Sequence, residues 1–304
     1  MTQSKQPKAL VTFWGTRGSV PTPGSTTEKY GGNTSCVTLN YDNTDIILDA
    51  GTGVRALGLQ LVAEREKEGA AKRDLDLNLL LSHTHWDHIQ GLPFFRPAYL
   101  KGTKLTVYGS PKKEQFLQSI LEGQMDVNYF PVDMNAFQAD ISIKEVKSNA
   151  ITIGNIQVKL QEQIRHPGGS VRYRLKCGRK VVVYATDVEL NTMFEADSPT
   201  KEDERLAAQY RRFVHNADLL IADGQYTTEQ YEPKKHLKWG HTSIPLLVKV
   251  AYEEGVKQLA VFHHDPQNSD SLLDALWGEY APEYGGMDPA MNVFWAREGM
   301  TLAV

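Results

Sequence analysis

Short apolar runs closed by glycine-, proline- or charge-rich stretches set the pattern of this chain. Leu10 to Trp14, Cys36 to Tyr41 and Ile46 to Leu48 read as strands, as do the aliphatic run Leu77 to Leu81 and the β-branched run Val181 to Ala185. Branched and aromatic side chains fit a pleated surface, which is why such runs favour strands. Ile156 to Ile164 mixes polar and apolar positions. Helical spacing starts at Val54 and continues through Leu57, Leu61 and Val62 into the charged run Glu64 to Glu68, a solvated C-terminal end. A second helix is expected over Lys112 to Glu122, with Phe116, Leu117 and Ile120 on one face, and others over Lys201 to Asn216 and Ile244 to Glu254. The density of glycine, proline and serine in Gly15 to Gly24 and Tyr30 to Ser35 reads as loop. There is no short repeat, low-complexity tract or linker, so one layered α/β domain over residues 1–304 is expected.

Composition adds exclusions. A hydrophobic content of 41% with 23% charged residues describes a soluble globular protein. The net charge of −4 gives no global attraction to nucleic acid, and no large nucleic-acid surface is evident. No segment reaches the roughly 18–20 apolar residues needed to span a bilayer, and Met1 to Lys8 lacks the apolar core of a signal peptide. Cys36 and Cys177 have no nearby partner, which fits two core thiols in a reducing cytoplasm.

The chemistry concentrates in Ser82-His83-Thr84-His85-Trp86-Asp87-His88, directly after an aliphatic run. Imidazole and carboxylate are ligands that zinc and similar divalent metals accept. A strand ending in this turn would project them together at one rim of a sheet. One catalytic metal keeps a position open for water, so this many ligands suggest two ions.

The pattern His-x-His-x-Asp-His resembles the signature of the metallo-β-lactamase superfamily. Four further segments follow the same order: Ile46 to Gly53 with Asp49, His166, Val181 to Asp187, and Leu259 to Pro266 with His263 and His264. The resemblance implies an αββα sandwich of two mixed β-sheets flanked by helices. It implies that His83, His85 and His166 hold one divalent metal, that Asp87, His88 and His263 hold the other, and that Asp187 bridges them. Zinc is the expected metal, with manganese or iron as alternatives. His263 is favoured over His264 as ligand by strand alternation with Val261. Asp49 is expected either to accept from a ligand histidine's outer ring N–H, fixing its tautomer, or to form a turn with Gly51 or Thr52.

Within that superfamily, Trp239-Gly240-His241-Thr242-Ser243 resembles the Gly-His-Ser/Thr segment of the ribonuclease Z and phosphodiesterase branch. This implies a metal-dependent phosphodiesterase acting on a small nucleotide ester, such as a cyclic mono- or dinucleotide. A hydroxide between the metals attacks phosphorus, Asp87 helps to orient it, and His241 donates to phosphate or to the leaving oxygen. Hydrolysis of another ester (thioester, lactone or β-lactam) and metal-stabilised nucleotide binding without catalysis are the competing readings. Ala222 to Thr227 departs from ribonuclease Z, which has His-Glu-Ala-Thr there, so Asp223 is left as a possible substitute partner for His241. No glycine- and proline-rich arm for clamping transfer RNA is evident. Asn33 and Tyr226 are substrate-contact candidates. Arg17 either grips phosphate or forms a structural salt bridge. Trp86, Phe94, Phe95, Tyr129, Phe130 and Trp239 lie near these motifs, and most are expected in the core. Related hydrolases often pair, which makes a homodimer an expectation by analogy.

Overall fold

In the computed structural model the described residues are 8–67, 74–110, 116–231, 236–285 and 290–304. They form strands β1 (Leu10–Gly15), β2 (Cys36–Tyr41), β3 (Thr44–Leu48), β4 (Leu75–Leu80), β5 (Thr103–Gly109), β6 (Asp140–Glu145) and β7 (Ala150–Ile153). Strands β8 (Ile156–Gln163), β9 (Ser170–Cys177), β10 (Lys180–Ala185), β11 (Leu219–Asp223), β12 (Gln258–Phe262), β13 (Asn292–Trp295) and β14 (Thr301–Ala303) follow. The helices are α1 (Val54–Lys67), α2 (Trp86–Ile89), α3 (Leu117–Gly123), α4 (Asn191–Phe194), α5 (Lys201–Val214), α6 (Ile244–Glu253) and α7 (Asp270–Gly285).

Two seven-stranded sheets result, in the orders β14-β1-β2-β3-β4-β5-β6 and β7-β8-β9-β10-β11-β12-β13 read from matching edges. Both sheets run through three antiparallel pairings and then three parallel ones. Strand β3 in one half therefore corresponds to β10 in the other. The alternation of side chains explains the layers. In β3, Ile46 and Leu48 enter the core between the sheets while Ile47 packs against the helices. In β10, Val182 and Tyr184 face between the sheets, and Val183 and Ala185 face α5 and α6. Strands covered on both faces must be apolar throughout, as these runs are. The αββα sandwich expected from the resemblance is the architecture observed.

Several expected elements differ at their ends. The expected helix over Lys112 to Glu122 begins at Leu117, and residues 111–115 lie outside the described residues, as does Glu68. Phe116 is extended and largely exposed rather than on the buried face, while the Glu145 carboxylate accepts from the Leu117 N–H at 2.9 Å and caps the first turn. Helix α5 starts where Thr200 and Asp203 form a reciprocal capping box. Cys36 and Cys177 are buried free thiols. Among the described residues no helix is long and apolar enough to cross a membrane.

Phe262 ties the layers together, tilted against Phe13 at 6.2 Å and edge-on to Tyr184 at 5.8 Å, with no exposed surface. Phe262→Ala should lower unfolding free energy by about 3–5 kcal/mol, read from urea denaturation. A loss under about 1 kcal/mol would mean that the inter-sheet core can collapse around the gap.

Candidate metal centre

The cluster forms where parallel strands end, the usual place for sites in open α/β sheets. Strand β4 ends at Leu80, and the following turn carries Ser82 to His85 into α2. This loop is knitted to the one after β3: the Ala50 N–H donates to His88 O at 2.8 Å, and the Gly91 N–H to Ala50 O at 2.9 Å. From the second sheet, Asp187 follows β10 and His263 follows β12. His166 comes from the turn between β8 and β9.

One group of donor atoms consists of His83 Nε2, His85 Nδ1 and His166 Nε2, with His85 Nδ1 lying 2.9 Å from the first and 3.0 Å from the last. A second group comprises Asp87, His88 and His263: Asp87 Oδ2 is 3.2 Å from His88 Nε2 and 3.1 Å from His263 Nε2, and the two imidazoles are 3.3 Å apart. The Asp187 carboxylate lies between the groups. Its Oδ2 is 3.3 Å from His88 Nε2 and its Oδ1 is 3.8 Å from His166 Nε2 and 3.5 Å from His263 Nε2.

The outer ring nitrogens decide what faces inward. His166 Nδ1 meets Gly240 O at 3.1 Å, and a carbonyl only accepts, so the proton is on Nδ1 and Nε2 presents a lone pair. His88 Nδ1 donates to Asp49 Oδ2 at 2.7 Å, which turns Nε2 toward Asp87 and Asp187. The Ser82 hydroxyl donates to Asp49 Oδ2 at 2.7 Å and so can accept from His83 Nδ1 at 3.1 Å. Lone pairs aimed at one another are tolerated when a cation sits among them. Ligand atoms about 2.0–2.1 Å from a tetrahedral zinc lie about 3.3 Å apart, close to the separations here, so the donor set fits a divalent metal.

Charge divides the cluster. Burial and then the neighbouring His88 pull His83 well below the usual imidazole range. Burial opposes charge on His88 too, but Asp87, Asp187 and Asp49 outweigh it and raise that group. For Asp187, burial is outweighed by His263, His88 and His83, which hold the carboxylate ionised. Most of the cluster is buried, while His85 is exposed and opens it to solvent.

Three residues of the centre adopt left-handed backbone: Asp49 (φ 62°), Asp187 (φ 60°) and His263 (φ 59°). Such conformations cost about 1–3 kcal/mol each and persist only where surroundings dictate them. Because β12 ends at Phe262, strand alternation does not extend to His263; the turn aims its ring at Asp87. His264 points the other way, with Nε2 at 2.8 Å from Ala296 O and its ring edge-on to Tyr30.

An open cleft of about 490 Å³ reaches the centre, lined by Ser19, Trp86, Trp239 and His241 together with candidate ligands. His241 lies just before α6, its Nδ1 3.1 Å from Asp223 Oδ2 and 3.8 Å from Asp187 Oδ1. Burial lowers His241 to about 4 and raises Asp223 well above the carboxylate range, so both are held neutral. With the proton on Asp223, Nδ1 accepts and Nε2–H is left as a donor. Neither Thr242 nor Ser243 caps α6 through its side chain; Thr242 Oγ1 donates to Val188 O instead.

Other expected contacts are absent from the cleft. Asn33 is bound through its backbone N–H and side chain to the Glu298 carboxylate, in a separate hollow beside Pro21 and Pro23, away from the cleft. Tyr226 is buried behind His241, stacked on His236 at 4.5 Å. Arg17 is fully buried and donates to the carbonyls of Gly31, Asp265 and Asn268, anchoring the N-terminal loop rather than gripping phosphate. That loop contributes a different contact: the Ser19 N–H donates to Asp87 Oδ2 at 2.8 Å. A side chain at Gly18 would strike the His263 ring at 2.3 Å. Of the six aromatics expected mostly in the core, Trp86, Phe94, Tyr129 and Trp239 are exposed and only Phe95 is fully buried.

Supporting residues missed from sequence lie on strands and loops without motif character. Gln163 Nε2 donates to Thr186 O and Ser170 Oγ, both at 2.8 Å, and Ser170 Oγ donates to Asp187 O at 2.8 Å, fixing the strained turn. Buried Glu189 accepts from Tyr231 Oη and from the Lys238 and Gly240 N–H groups, pinning the loop that carries His241. Gly240 (φ 90°) admits no Cβ, which would lie 2.3 Å from His166 Nδ1. Ser82 inside the histidine run, Glu189 two residues past Asp187 and Gly240 inside the Trp239 to Ser243 segment sat near a readable signal; Gln163 did not.

Asp49→Asn should lower metal affinity about 10–100-fold in a chelator competition, with stoichiometry read by atomic emission. Unchanged affinity would show that Asp49 supports the fold and not the ligands.

A family profile described as a beta-lactamase superfamily domain matches residues 44–264. Ribonuclease Z of Clostridium tetani is 23% identical over 303 residues, covering 86% of this chain and 89% of that protein. Among solved structures, the metallo-beta-lactamase fold protein YhfI from Bacillus subtilis aligns with a TM-score of 0.65 at 19% identity, covering 98% of this chain and 100% of that one. Unliganded yeast PDE1 aligns with a TM-score of 0.65 at 15% identity, again covering 98% and 100%. The chain belongs to the beta-lactamase superfamily.

Proposed function

We propose that the protein is a dinuclear phosphodiesterase for a small nucleotide ester, such as a cyclic mono- or dinucleotide. His83, His85 and His166 would hold one ion, Asp87, His88 and His263 the other, and Asp187 would bridge them. The all-nitrogen-and-oxygen donor set suits zinc, with manganese or iron as alternatives that availability decides. When bound, two such ions supply an activated water and neutralise charge on a phosphoryl group.

The observation that carries the reading is the His241–Asp223 pair, 3.1 Å apart at the edge of the donor groups. A neutral imidazole whose Nδ1 is occupied by Asp223 offers Nε2–H to a phosphoryl oxygen or leaving oxygen, and needs no proton from solvent to do so. The Ser19 N–H holds Asp87, and Glu189 holds the loop beneath His241, so neither group has to reorganise on binding.

Matches to proteins named ribonuclease Z favour a second reading, endonucleolytic cleavage of RNA. The small ester is preferred because the net charge is −4 and no lysine or arginine among the described residues lines the cleft, where a polyanionic chain would need cations.

Purified, metal-quantified protein should hydrolyse bis-p-nitrophenyl phosphate and at least one cyclic nucleotide, and leave a thioester, a β-lactam and a precursor transfer RNA intact. Turnover of a carbon ester with silence on phosphodiesters would overturn the proposal, and RNA cleavage alone would select the second reading. His241→Ala should keep its metal and lose about 10²–10⁴-fold in phosphodiester turnover. Full activity in that variant would remove His241 from the mechanism.

A further inference from the structure

Two tryptophans line the cleft and are left in solvent, Trp86 at 80% and Trp239 at 60% exposure. Neither belongs to any of the three apolar cores. Indoles ordinarily bury most of their area, so a pair held open over one polar site is not explained by packing. The two come from different halves of the molecule. Trp86 opens α2, immediately before Asp87; Trp239 lies in the loop before α6, two residues before His241. Trp239 is also oriented: its ring meets His236 edge-on at 5.3 Å, and His236 is stacked on buried Tyr226. A ring placed by such a column presents a defined face at little entropic cost on binding.

The rest of the lining is small or polar: Ser19, Thr84 and the imidazoles and carboxylates of the centre. A phosphoryl group is matched by the centre, and what remains for the flanking groups is a flat apolar surface. We infer that Trp86 and Trp239 form an aromatic clamp that selects phosphodiesters carrying a nucleobase over those carrying only sugar or alkyl groups. This rests on the phosphodiesterase reading and names its selectivity residues. Both indoles act by stacking on substrate and leave the metal donors untouched. Stacking a base on an aromatic side chain is worth about 1–3 kcal/mol, which converts to a preference of roughly 5–150-fold.

The test is isothermal titration calorimetry on the metal-loaded protein with adenosine 5′-monophosphate and with ribose 5-phosphate, which differ only in the base. Turnover of bis-p-nitrophenyl phosphate is measured in parallel. Wild type should bind the nucleotide roughly 5–150-fold more tightly. Trp86→Leu and Trp239→Leu should each reduce that ratio, and the double variant should bring it near one, with ribose 5-phosphate affinity, metal content and melting temperature unchanged. Trp→Phe at either site should retain most of the preference. Equal wild-type affinities, or a ratio that survives the double variant, would overturn the clamp while phosphodiester turnover still upheld the parent reading. Absence of turnover on every phosphodiester would overturn the parent reading and the clamp with it.

Discussion

The centre depends on one buried carboxylate. Asp49 has no exposed surface and receives four donors: the Ser82 N–H at 2.6 Å, and the Ser82 hydroxyl, Tyr184 hydroxyl and His88 Nδ1 at 2.7 Å each. These partners lie just after β4, on α2 and on β10, so the carboxylate joins the two sheets at the rim where the candidate ligands gather. A carboxylate so deep is tolerable only with its acceptor capacity filled, and filling it fixes which His88 ring nitrogen faces Asp49 and the geometry of the histidine turn together. Breaking any one bond leaves a buried polar atom without its partner.

From that constraint the strained turns follow. Asp49 and Asp187 come after corresponding strands of the two halves, β3 and β10, and both adopt φ near 60°. One carboxylate supports from behind, the other faces the donor groups. The pseudo-twofold arrangement thus supplies two equivalent positions, and the surroundings divide the work: Tyr184 and Ser82 surround the first, His83, His88 and His263 the second. Gln163 and Ser170 hold the backbone of the second turn where the chain itself resists the conformation.

The mouth of the site obeys different rules. Its loops are held by polar anchors below, Arg17 under the N-terminal loop and Glu189 under the loop of His241, while exposed indoles stand at the start of α2 and on the His241 loop. Rigid placement of a few side chains over an open cleft is what precise orientation of a reacting group requires.

The sequence by itself determined much of this. The run His83 to His88, Asp187 at the close of a β-branched strand and His263 after another were readable as one cluster of candidate metal ligands, because ligand chemistry restricts residue types at each position. The major strands and helices were readable because both faces of these strands are apolar and the helices keep their periodicity. Single-residue roles away from the motifs were not. Asn33, Arg17 and Tyr226 have side chains suited to substrate, yet Glu298, three carbonyls and His236 claim them, and those partners are remote in sequence. His263 rather than His264 faces Asp87, and for a reason other than alternation: a left-handed turn aims the ring. Exposure of Trp86 and Trp239 and the pairing of His241 with Asp223 were likewise decided by tertiary structure, because which neighbours a side chain meets depends on loops brought together from opposite sheets.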